Sequence, residues 1–400
     1  MRRVVTARCG GLAVGVALLA ASTAVLAQAP APPAGLALLA AGGTLDLRWV
    51  SADGQAAAAP PALDADTAYV PMRGGRLVAF DLDSGRVRWA VAAETGWAPA
   101  VGDGRVFAAL ADGMRAYDAA TGRVLWQRPL PAPAAAPPYW DTGWLVVSLE
   151  NGALAALRAA DGETLWTATL GAPLQTAPAP ALDALYLGLA DGRVVALALA
   201  TGQSLWSRRL EGAVTGVLGL DDQLVVGTAG RTVHSLDLRS GRTRWRWRVG
   251  GAAVGAAAAD DRRIYFVAYD HLVRAVDRRS GNLRWRQALG HRPAGSPLVA
   301  GGFVLVPSLA SEIAAFETAS GVPAPAIAGS GEVSGDTRLR LGGPAAGTRL
   351  LAVSSDGRLM AFAPRVEPAP APLDVLPGTA VAEPAAQPAA PATPPGRDRR

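Results

Sequence analysis

The sequence predicts an all-β protein: an eight-bladed β-propeller of four-stranded antiparallel blades, closed by the N-terminal strand completing the last blade. The first observation is a repeat, since tryptophans recur every 37 to 40 residues, at Trp49, Trp89, Trp126, Trp166, Trp206, Trp245 and Trp285. From Trp89 onward each tryptophan follows a glycine by four positions, and these glycines are Gly85, Gly122, Gly162, Gly202, Gly241 and Gly281. A period near 40 residues is typical of propeller blades.

The second observation is the content of one repeat unit. Residues 214–249 contain the strand-length runs VTGVLGL, QLVVGTA, TVHSLDL and RTRWRWRV, separated by turn residues. Such runs, with turns at short intervals, predict a four-stranded antiparallel sheet. The hairpin of the second and third strands recurs at 68–80, 105–117, 144–157, 185–197, 223–236, 264–276, 303–316 and 350–362. Several copies contain Asp-Gly, Asn-Gly or Gly-Gly, which favour two-residue hairpin loops.

The third observation concerns the two ends of the repeat region. The segment 44–49 (TLDLRW) has the features of an outer strand, but the first three strands of a blade are missing before it. The last hairpin, 350–362, has no tryptophan phrase after it. We therefore expect the N-terminal strand to complete the last blade, which leaves few unpaired edges.

One unit departs from the pattern, because Pro325 occupies the position of the expected tryptophan. Proline is tolerated mainly on edge strands, and the outer strand of a blade is an edge. Residues 326–347 are either a degenerate outer strand with a longer loop or a partner-binding insertion. We favour the degenerate strand.

The residues of the repeated phrase are expected to dock one blade on the next. Glycine permits a turn with a positive φ, and each tryptophan buries a large ring whose indole N–H seeks a carbonyl. Four aspartates precede the turn and are expected to accept its backbone N–H groups; they are Asp81, Asp118, Asp237 and Asp277.

Residues 1–27 predict a secretory signal peptide. Three arginines precede the apolar run 12–26, and small residues permit cleavage after Ala27 or after Ala29. The run is shorter than the roughly 20 residues of a bilayer-spanning helix, and an uncleaved anchor is the alternative. The single cysteine, Cys9, lies before the run, so cleavage removes it. Residues 28–43 are interpreted as a linker.

Charge and composition separate the repeat region from the C-terminal segment. The formal net charge is +5, and all 38 basic residues are arginine. Residues 44–364, the predicted propeller, carry only +2, because three arginines lie before it and the charges after it balance. This near-neutral balance does not favour nucleic-acid binding. Residues 365–400 are rich in proline and alanine, which predicts a disordered tail.

The repeated phrase resembles the tryptophan-docking repeat of the PQQ-like propellers. The best copies are AFDLDSGRVRW (79–89), AYDAATGRVLW (116–126) and AVDRRSGNLRW (275–285). The resemblance covers roughly residues 44–364. Within that superfamily the blade count, signal and size are similar to the BamB family, scaffold lipoproteins of the outer-membrane β-barrel assembly machinery. This chain differs by having no cysteine after the signal for a lipid and by its Pro/Ala tail.

The same superfamily includes quinoprotein dehydrogenases, so the resemblance also raises the possibility of PQQ and calcium in the central funnel. The predicted innermost strands, 97–101, 176–181, 214–219, 254–259 and 295–299, consist largely of Ala, Gly, Pro and Val. Binding that cofactor requires clustered oxygen ligands and positive groups. His234, His271 and His291 are too widely spaced for a metal cluster. We expect no catalytic residue, cofactor or metal.

A cluster of arginines is the strongest candidate binding feature. Residues 231–292 contain fourteen arginines against five aspartates. Six of them, on the outer strands of two successive blades, form what we call the arginine stripe: Arg242, Arg244, Arg246, Arg248, Arg284 and Arg286. The stripe is either a surface for an acidic protein, anionic lipid or glycan or a solvated edge whose charges discourage aggregation.

These observations favour a non-catalytic, secreted or envelope propeller that acts as a protein-binding scaffold. The expected partners are envelope proteins, including β-barrel assembly components, and the expected location is the periplasm or the outer-membrane periphery. We expect a monomeric propeller, with peripheral membrane association compatible with the stripe. A PQQ- or small-ligand-binding quinoprotein-type enzyme or sensor is the alternative.

Overall fold

The computed structural model describes residues 45–50, 56–300, 302–328, 338–340, 349–353 and 358–364. These residues form 32 strands, arranged as eight four-stranded antiparallel sheets. The predicted signal peptide (1–27), linker (28–43) and tail (365–400) lie outside the described residues. Within the described part of the chain, no helix has the length and hydropathy needed to cross a bilayer.

The first four blades follow each other in chain order, and each runs from an inner to an outer strand. Blade 1 contains β2 (Ala62–Leu63), β3 (Thr67–Met72), β4 (Arg76–Asp81) and β5 (Val87–Ala92). Blade 2 contains β6 (Ala100–Gly102), β7 (Arg105–Leu110), β8 (Gly113–Asp118) and β9 (Val124–Arg128). Blade 3 contains β10 (Tyr139–Asp141), β11 (Trp144–Ser148), β12 (Ala153–Arg158) and β13 (Thr164–Thr169). Blade 4 contains β14 (Ala179–Ala181), β15 (Ala184–Gly188), β16 (Arg193–Ala198) and β17 (Ser204–Arg209).

The remaining blades repeat this order, except that the last one uses both ends of the region. Blade 5 contains β18 (Val214–Gly219), β19 (Gln223–Thr228), β20 (Thr232–Asp237) and β21 (Thr243–Arg248). Blade 6 contains β22 (Ala258–Ala259), β23 (Arg263–Ala268), β24 (Leu272–Asp277) and β25 (Leu283–Ala288). Blade 7 contains β26 (Leu298–Ala300), β27 (Phe303–Pro307), β28 (Glu312–Glu317) and β29 (Pro323–Ala328). Blade 8 contains β30 (Arg338–Arg340), β31 (Arg349–Val353), β32 (Leu359–Pro364) and β1 (Leu45–Val50).

The ring closes through the N-terminal strand. β1 pairs antiparallel with β32, and Trp49 lies opposite Ala361. A buried cluster then joins blade 8 to blade 1, with Leu351 and Leu359 packed against Val70. The predicted fold class, including closure by the first strand, is confirmed.

The core lies between the blades. The second and third strands of each blade are apolar on both faces, as in β3, where all six residues are buried. Described residues form eight buried clusters, and each joins two neighbouring sheets. A buried aliphatic or aromatic side chain contributes about 1.5–3 kcal/mol relative to exposure. The stacking of blades on each other therefore stabilises the ring.

Tryptophans dock on the glycine turn of the following blade. A Cβ at Gly162, where φ is +75°, would lie 2.8 Å from the ring of Trp126. In five interfaces the indole N–H also donates to the carbonyl three residues before that glycine: Trp89 to Ala119, Trp126 to Ala159, Trp166 to Leu199, Trp206 to Leu238 and Trp285 to Thr318, at 2.7–3.0 Å. The turn aspartates accept backbone N–H groups as expected, for example Ser84 N–H to Asp81 at 2.8 Å.

Pro325 lies in β29, the outer strand of blade 7. Among the described residues the strand pairs only with β28, so the missing proline N–H costs no bond on the free side. This placement agrees with the degenerate outer strand. Of the predicted longer loop (326–347), residues 329–337 and 341–347 lie outside the described residues.

Candidate functional site

The arginine stripe lies on the outer strands of blades 5 and 6. In β21 the side chains of Arg244, Arg246 and Arg248 are exposed, whereas Trp245 and Trp247 between them are partly buried. The two-residue period of a strand produces this arrangement, because successive side chains point to opposite faces. Arg242 is exposed in the preceding turn, and Arg284 and Arg286 are exposed on β25.

Two arginines of the stripe are neutralised by neighbouring carboxylates. Arg244 forms ion pairs with Asp222 at 3.5 Å and Asp237 at 3.1 Å, and Arg284 pairs with Asp277 at 2.7 Å. The Arg284 guanidinium and the turn N–H groups hold the pKa of Asp277 well below its usual range.

The positive charge of the stripe is concentrated in its other members. Among the described residues, no ion pair involves Arg242, Arg246, Arg248 or Arg286. These four arginines are the part of the stripe available to an anionic partner.

A charged groove lies beside the stripe, between the turns of blades 5 and 6. It encloses about 730 Å³ and is lined by Asp221, Asp222, Asp261, Arg262, Arg263, Asp277, Arg278, Arg279 and Arg284. Arg278 spans the two blades, since its guanidinium pairs with Asp221 and, at 2.6 Å, with Asp222. We call this the blade 5–6 groove. The Arg278 pairs form an ionic contact between the two blades, whereas the Arg284–Asp277 pair lies within blade 6.

The tryptophan that docks blade 5 on blade 6 makes different hydrogen bonds from those at the other interfaces. Trp245 packs on Gly281, but its buried indole N–H has no partner among the described residues. The carbonyl that it would be expected to reach belongs to Arg278 and accepts from the side-chain amide of Gln223, at 2.8 Å. Trp247 donates to the carbonyl of Gly281 at 2.7 Å. The second tryptophan of this strand, Trp247, was visible in the sequence. The hydrogen bond from Gln223 to the Arg278 carbonyl was not.

The three histidines do not form one site. His234 is buried in β20, where its Nε2 lies 2.9 Å from the Thr232 hydroxyl. Burial, with the nearby charges of Arg246 and Arg208, lowers its pKa to about 4. His271 and His291 are exposed in loops. Among the described residues, no group of three or more His, Cys, Asp or Glu side chains is placed to hold a metal ion.

The central channel is lined mainly by small apolar residues. Six of the eight inner strands contain no charged residue, namely β2, β6, β14, β18, β22 and β26. The other two do, since β10 contains Asp141 and β30 contains Arg338 and Arg340. Sequence reasoning missed one feature: Tyr139 and Trp140 of β10 line an uncharged pocket of about 370 Å³ beside Pro99 and Pro138. The aromatic pair in PPYW was its only visible signal. A calcium-bound quinone requires clustered oxygen ligands and positive groups. The six uncharged inner strands supply neither, and no carboxylate cluster is placed to hold calcium among the described residues, so the described lining does not fit this cofactor.

Comparisons with known proteins agree with this architecture. BamB from Moraxella catarrhalis has a TM-score of 0.65 at 20% identity, covering 80% of this chain and 99% of that chain. Quinohemoprotein alcohol dehydrogenase from Comamonas testosteroni has a TM-score of 0.67 at 12% identity, covering 85% and 79%. The computationally designed Ika8 protein has a TM-score of 0.65 at 18% identity, covering 78% and 96%. At such identities these likenesses show the fold alone.

The sequence itself distinguishes among these relatives. No curated protein matches it significantly. A family model described as outer membrane protein assembly factor BamB matches residues 73–217 and 212–368, which together span most of the repeat region. The chain therefore belongs to this BamB family of PQQ-like propellers.

Proposed function

We propose that this protein is a non-catalytic propeller of the cell envelope that acts as a scaffold for other proteins in outer-membrane protein assembly. The observation that carries the proposal is the family match over residues 73–217 and 212–368. The composition of the inner strands supports it, because six of the eight contain no charged residue and offer few groups for chemistry in the channel.

The proposal includes a location at the periplasm or the periphery of the outer membrane. It depends on the signal predicted in residues 1–27, which lie outside the described residues. Fractionation of cells and N-terminal sequencing of the mature chain test it. An N-terminus at Gln28 or Pro30 in the soluble envelope fraction is expected, and a chain that keeps Met1 in the cytoplasm contradicts it.

Crosslinking tests the scaffold role directly. The mature protein would be crosslinked in its native envelope and recovered by an affinity tag, with a tagged, unrelated propeller as the control. Components of the β-barrel assembly machinery should be enriched only with this protein. Recovery equal to that of the control would contradict the proposal.

The alternative is a quinoprotein-type enzyme or a sensor of a small ligand. Its support is the fold shared with quinohemoprotein alcohol dehydrogenase and the aromatic pocket at Tyr139 and Trp140. The test is incubation of the mature protein with PQQ and calcium, followed by dye-linked oxidation of alcohols and sugars. Turnover above that of the free cofactor would replace the scaffold proposal.

The arginine stripe suggests an additional contact with an anionic partner. Its support is the set of exposed arginines without an ion pair among the described residues, such as Arg246 and Arg286. Changing Arg244, Arg246 and Arg286 to serine should abolish a salt-sensitive interaction with phosphatidylglycerol vesicles or an acidic protein. Unchanged binding would show that the stripe is only a solvated edge.

A further inference from the structure

Outer strands are the place where a blade has a free edge, and seven of the eight outer strands carry a charge or a proline. These features are Asp46 and Arg48 in β1, Arg88 in β5, Arg128 in β9, Arg208 and Arg209 in β17, Arg244, Arg246 and Arg248 in β21, Arg284 and Arg286 in β25, and Pro323 and Pro325 in β29. Charges and prolines on an edge oppose pairing with another chain. β13, with the sequence TLWTAT, is the exception among the described outer strands, since it has neither.

Within the part of the chain that the structure describes, β13 pairs with β12 alone, so its backbone has unpaired groups on the other side. Leu170 N–H donates to the carbonyl of Gly152 at 2.8 Å, immediately after the strand. Bonding to a neighbour alternates along an antiparallel strand. Ala168, opposite Leu154, is therefore directed at β12, whereas the N–H and C=O groups of Thr167 and Thr169 point outward. These outward groups are two residues apart, which is the spacing at which an added antiparallel strand forms its main-chain hydrogen bonds.

The side chains of β13 also suit an added strand. Leu165, 38% exposed, lies with Thr167 and Thr169 on one exposed face, and Trp166 and Ala168 are partly exposed on the other. Threonine is enriched in strands because its branched side chain packs well on a pleated surface. The strand thus combines a free edge, high strand propensity and no charge.

We propose that the outer edge of β13 accepts an extended, uncharged segment of a partner protein as a fifth strand of blade 3. The inference rests on the proposed scaffold function and names the site through which it acts. The ladder of main-chain hydrogen bonds supplies affinity in such strand addition, and alternate side chains supply selectivity. A charged residue opposite Thr167 would lose water without gaining a counter-ion on β13, so the segment should carry apolar and hydroxyl side chains.

The test uses the full mature chain and a defined probe, a peptide of alternating valine and threonine flanked by paired lysines. The lysines keep the peptide soluble and away from the arginine-bearing edges. Binding would be measured by fluorescence polarisation, and the exchange of the Thr167 and Thr169 amides by NMR. We expect saturable binding, and at saturation those two amides should exchange at least about tenfold more slowly, as expected for an amide closed into a ladder for most of the time.

Thr167→Pro removes one outward donor without removing a bond to β12, and should weaken binding about tenfold or more. Thr167→Arg provides a second variant if the proline disturbs folding, and should also weaken binding. The matched control is Ser207→Pro at the corresponding position of β17, which should leave binding unchanged. Equal binding by wild type and both Thr167 variants, or equal loss in the control, would overturn the inference. So would a dimer of this chain that Thr167→Pro dissociates.

The inference and the scaffold function can fail separately. Crosslinking of the Thr167→Pro variant in the native envelope distinguishes them. Assembly components that are recovered equally with wild type and Thr167→Pro leave the scaffold function standing and overturn the role of β13. Probe binding at β13 with no assembly component recovered would overturn the function proposed above while leaving the strand-accepting edge in place.

Discussion

The outer strands of blades 3 and 5 have the same backbone pairing but differ in the side chains that they expose to solvent. β13 and β21 pair with the preceding strand antiparallel, and each has a register shift at the same point before its tryptophan. The side chains at the three outward positions differ: Leu165, Thr167 and Thr169 in blade 3, against Arg244, Arg246 and Arg248 in blade 5. The repeat therefore determines the strand, while the outward positions remain free to specify or to repel a partner.

The two blades also differ in how they dock on the next blade. Trp166 donates its indole N–H to the Leu199 carbonyl at 2.9 Å. The corresponding N–H of Trp245 has no partner among the described residues, and the Arg278 carbonyl accepts from the side chain of Gln223. The interface between blades 5 and 6 also contains the ion pairs of Arg278 with Asp221 and Asp222. A single docking motif thus tolerates different hydrogen bonding as long as the ring still packs on its glycine.

The largest effect on stability is expected from substitution of the docking glycines, which blades 3 and 5 have in common. Gly162 and Gly241 have φ of +75° and +65°, and a Cβ at either would lie 2.8 Å from a tryptophan ring. Alanine must adopt a left-handed conformation, at about 1–2 kcal/mol, and displace the ring, at about 1–3 kcal/mol. Gly162→Ala and Gly241→Ala should each lower the free energy of unfolding by about 2–5 kcal/mol, measured by urea denaturation.

A glycine in an open turn separates the two contributions. Gly143 has φ of +86° and no atom within 4 Å of a Cβ built there. Gly143→Ala should therefore lose only the conformational part, about 1–2 kcal/mol. A Gly162→Ala variant no less stable than Gly143→Ala would mean that ring contact is not what requires glycine.

These docking residues explain why so much of the fold was predictable from sequence. A turn with positive φ that supports an indole ring excludes other residue types, so the glycine and tryptophan recur at fixed spacing. Trp49 predicted the closing strand for the same reason, since a lone outer strand needs three others. Pro325 marked the seventh outer strand because a free edge tolerates the absence of one N–H.

The site was less predictable because its determinants are contacts that the spacing along the chain does not show. The stripe was visible as alternation along β21, but its partial neutralisation depends on Asp222, in an earlier turn of the same blade. Gln223 gives no sign in the sequence that it takes a carbonyl from blade 6. The β13 edge stands out only when its position is known to be an outer strand and the other edges are compared with it.

The next effect concerns a histidine of blade 5 that has no counterpart in blade 3. His234 lies opposite Arg246, whereas Ala155 lies opposite Thr167. The folded-state pKa of His234, about 4, is below its ordinary value of 6.5. The unfolded chain therefore takes up the proton first as the pH falls, and stability is lost between about pH 6.5 and pH 4. From pH 7.5 to 5 this loss should be about 2 kcal/mol.

Two variants isolate this contribution from the other titrating groups. His234→Gln should remove the loss, so the stability difference between wild type and variant should change by about 2 kcal/mol over that pH range in urea denaturation. Arg246→Ser should raise the pKa of His234, observable by NMR titration, because a nearby positive charge is removed. His271→Gln, in an exposed turn, is the control. A pH dependence identical in wild type and His234→Gln would contradict the prediction.

A smaller effect tests the difference in docking. Trp166→Phe leaves the Leu199 carbonyl without its indole donor, whereas Trp245→Phe removes an N–H that has no partner among the described residues. Both changes lose a similar apolar area, so Trp166→Phe should cost about 1 kcal/mol more. Trp247→Phe should resemble Trp166→Phe, since Trp247 donates to Gly281. Equal losses for Trp166→Phe and Trp245→Phe in thermal and urea unfolding would mean that the hydrogen bonds do not distinguish these interfaces.

The smallest effect on stability, and the sharpest test of the comparison, is to give blade 5 the outward residues of blade 3. Arg246→Thr with Arg248→Thr removes exposed charges that form no ion pair among the described residues, so the free energy of unfolding should change by less than about 0.5 kcal/mol. If the arginines prevent another strand from pairing with this edge, β21 of the variant should bind the valine–threonine peptide. The reciprocal variant, Thr167→Arg with Thr169→Arg, should lose it. The β21 variant could instead gain no peptide binding and lose the binding to phosphatidylglycerol vesicles that is expected of the wild type. In that case the arginines bind an anionic partner. The two blades would then differ in which partner they bind, rather than in whether their outer edge can pair with another strand.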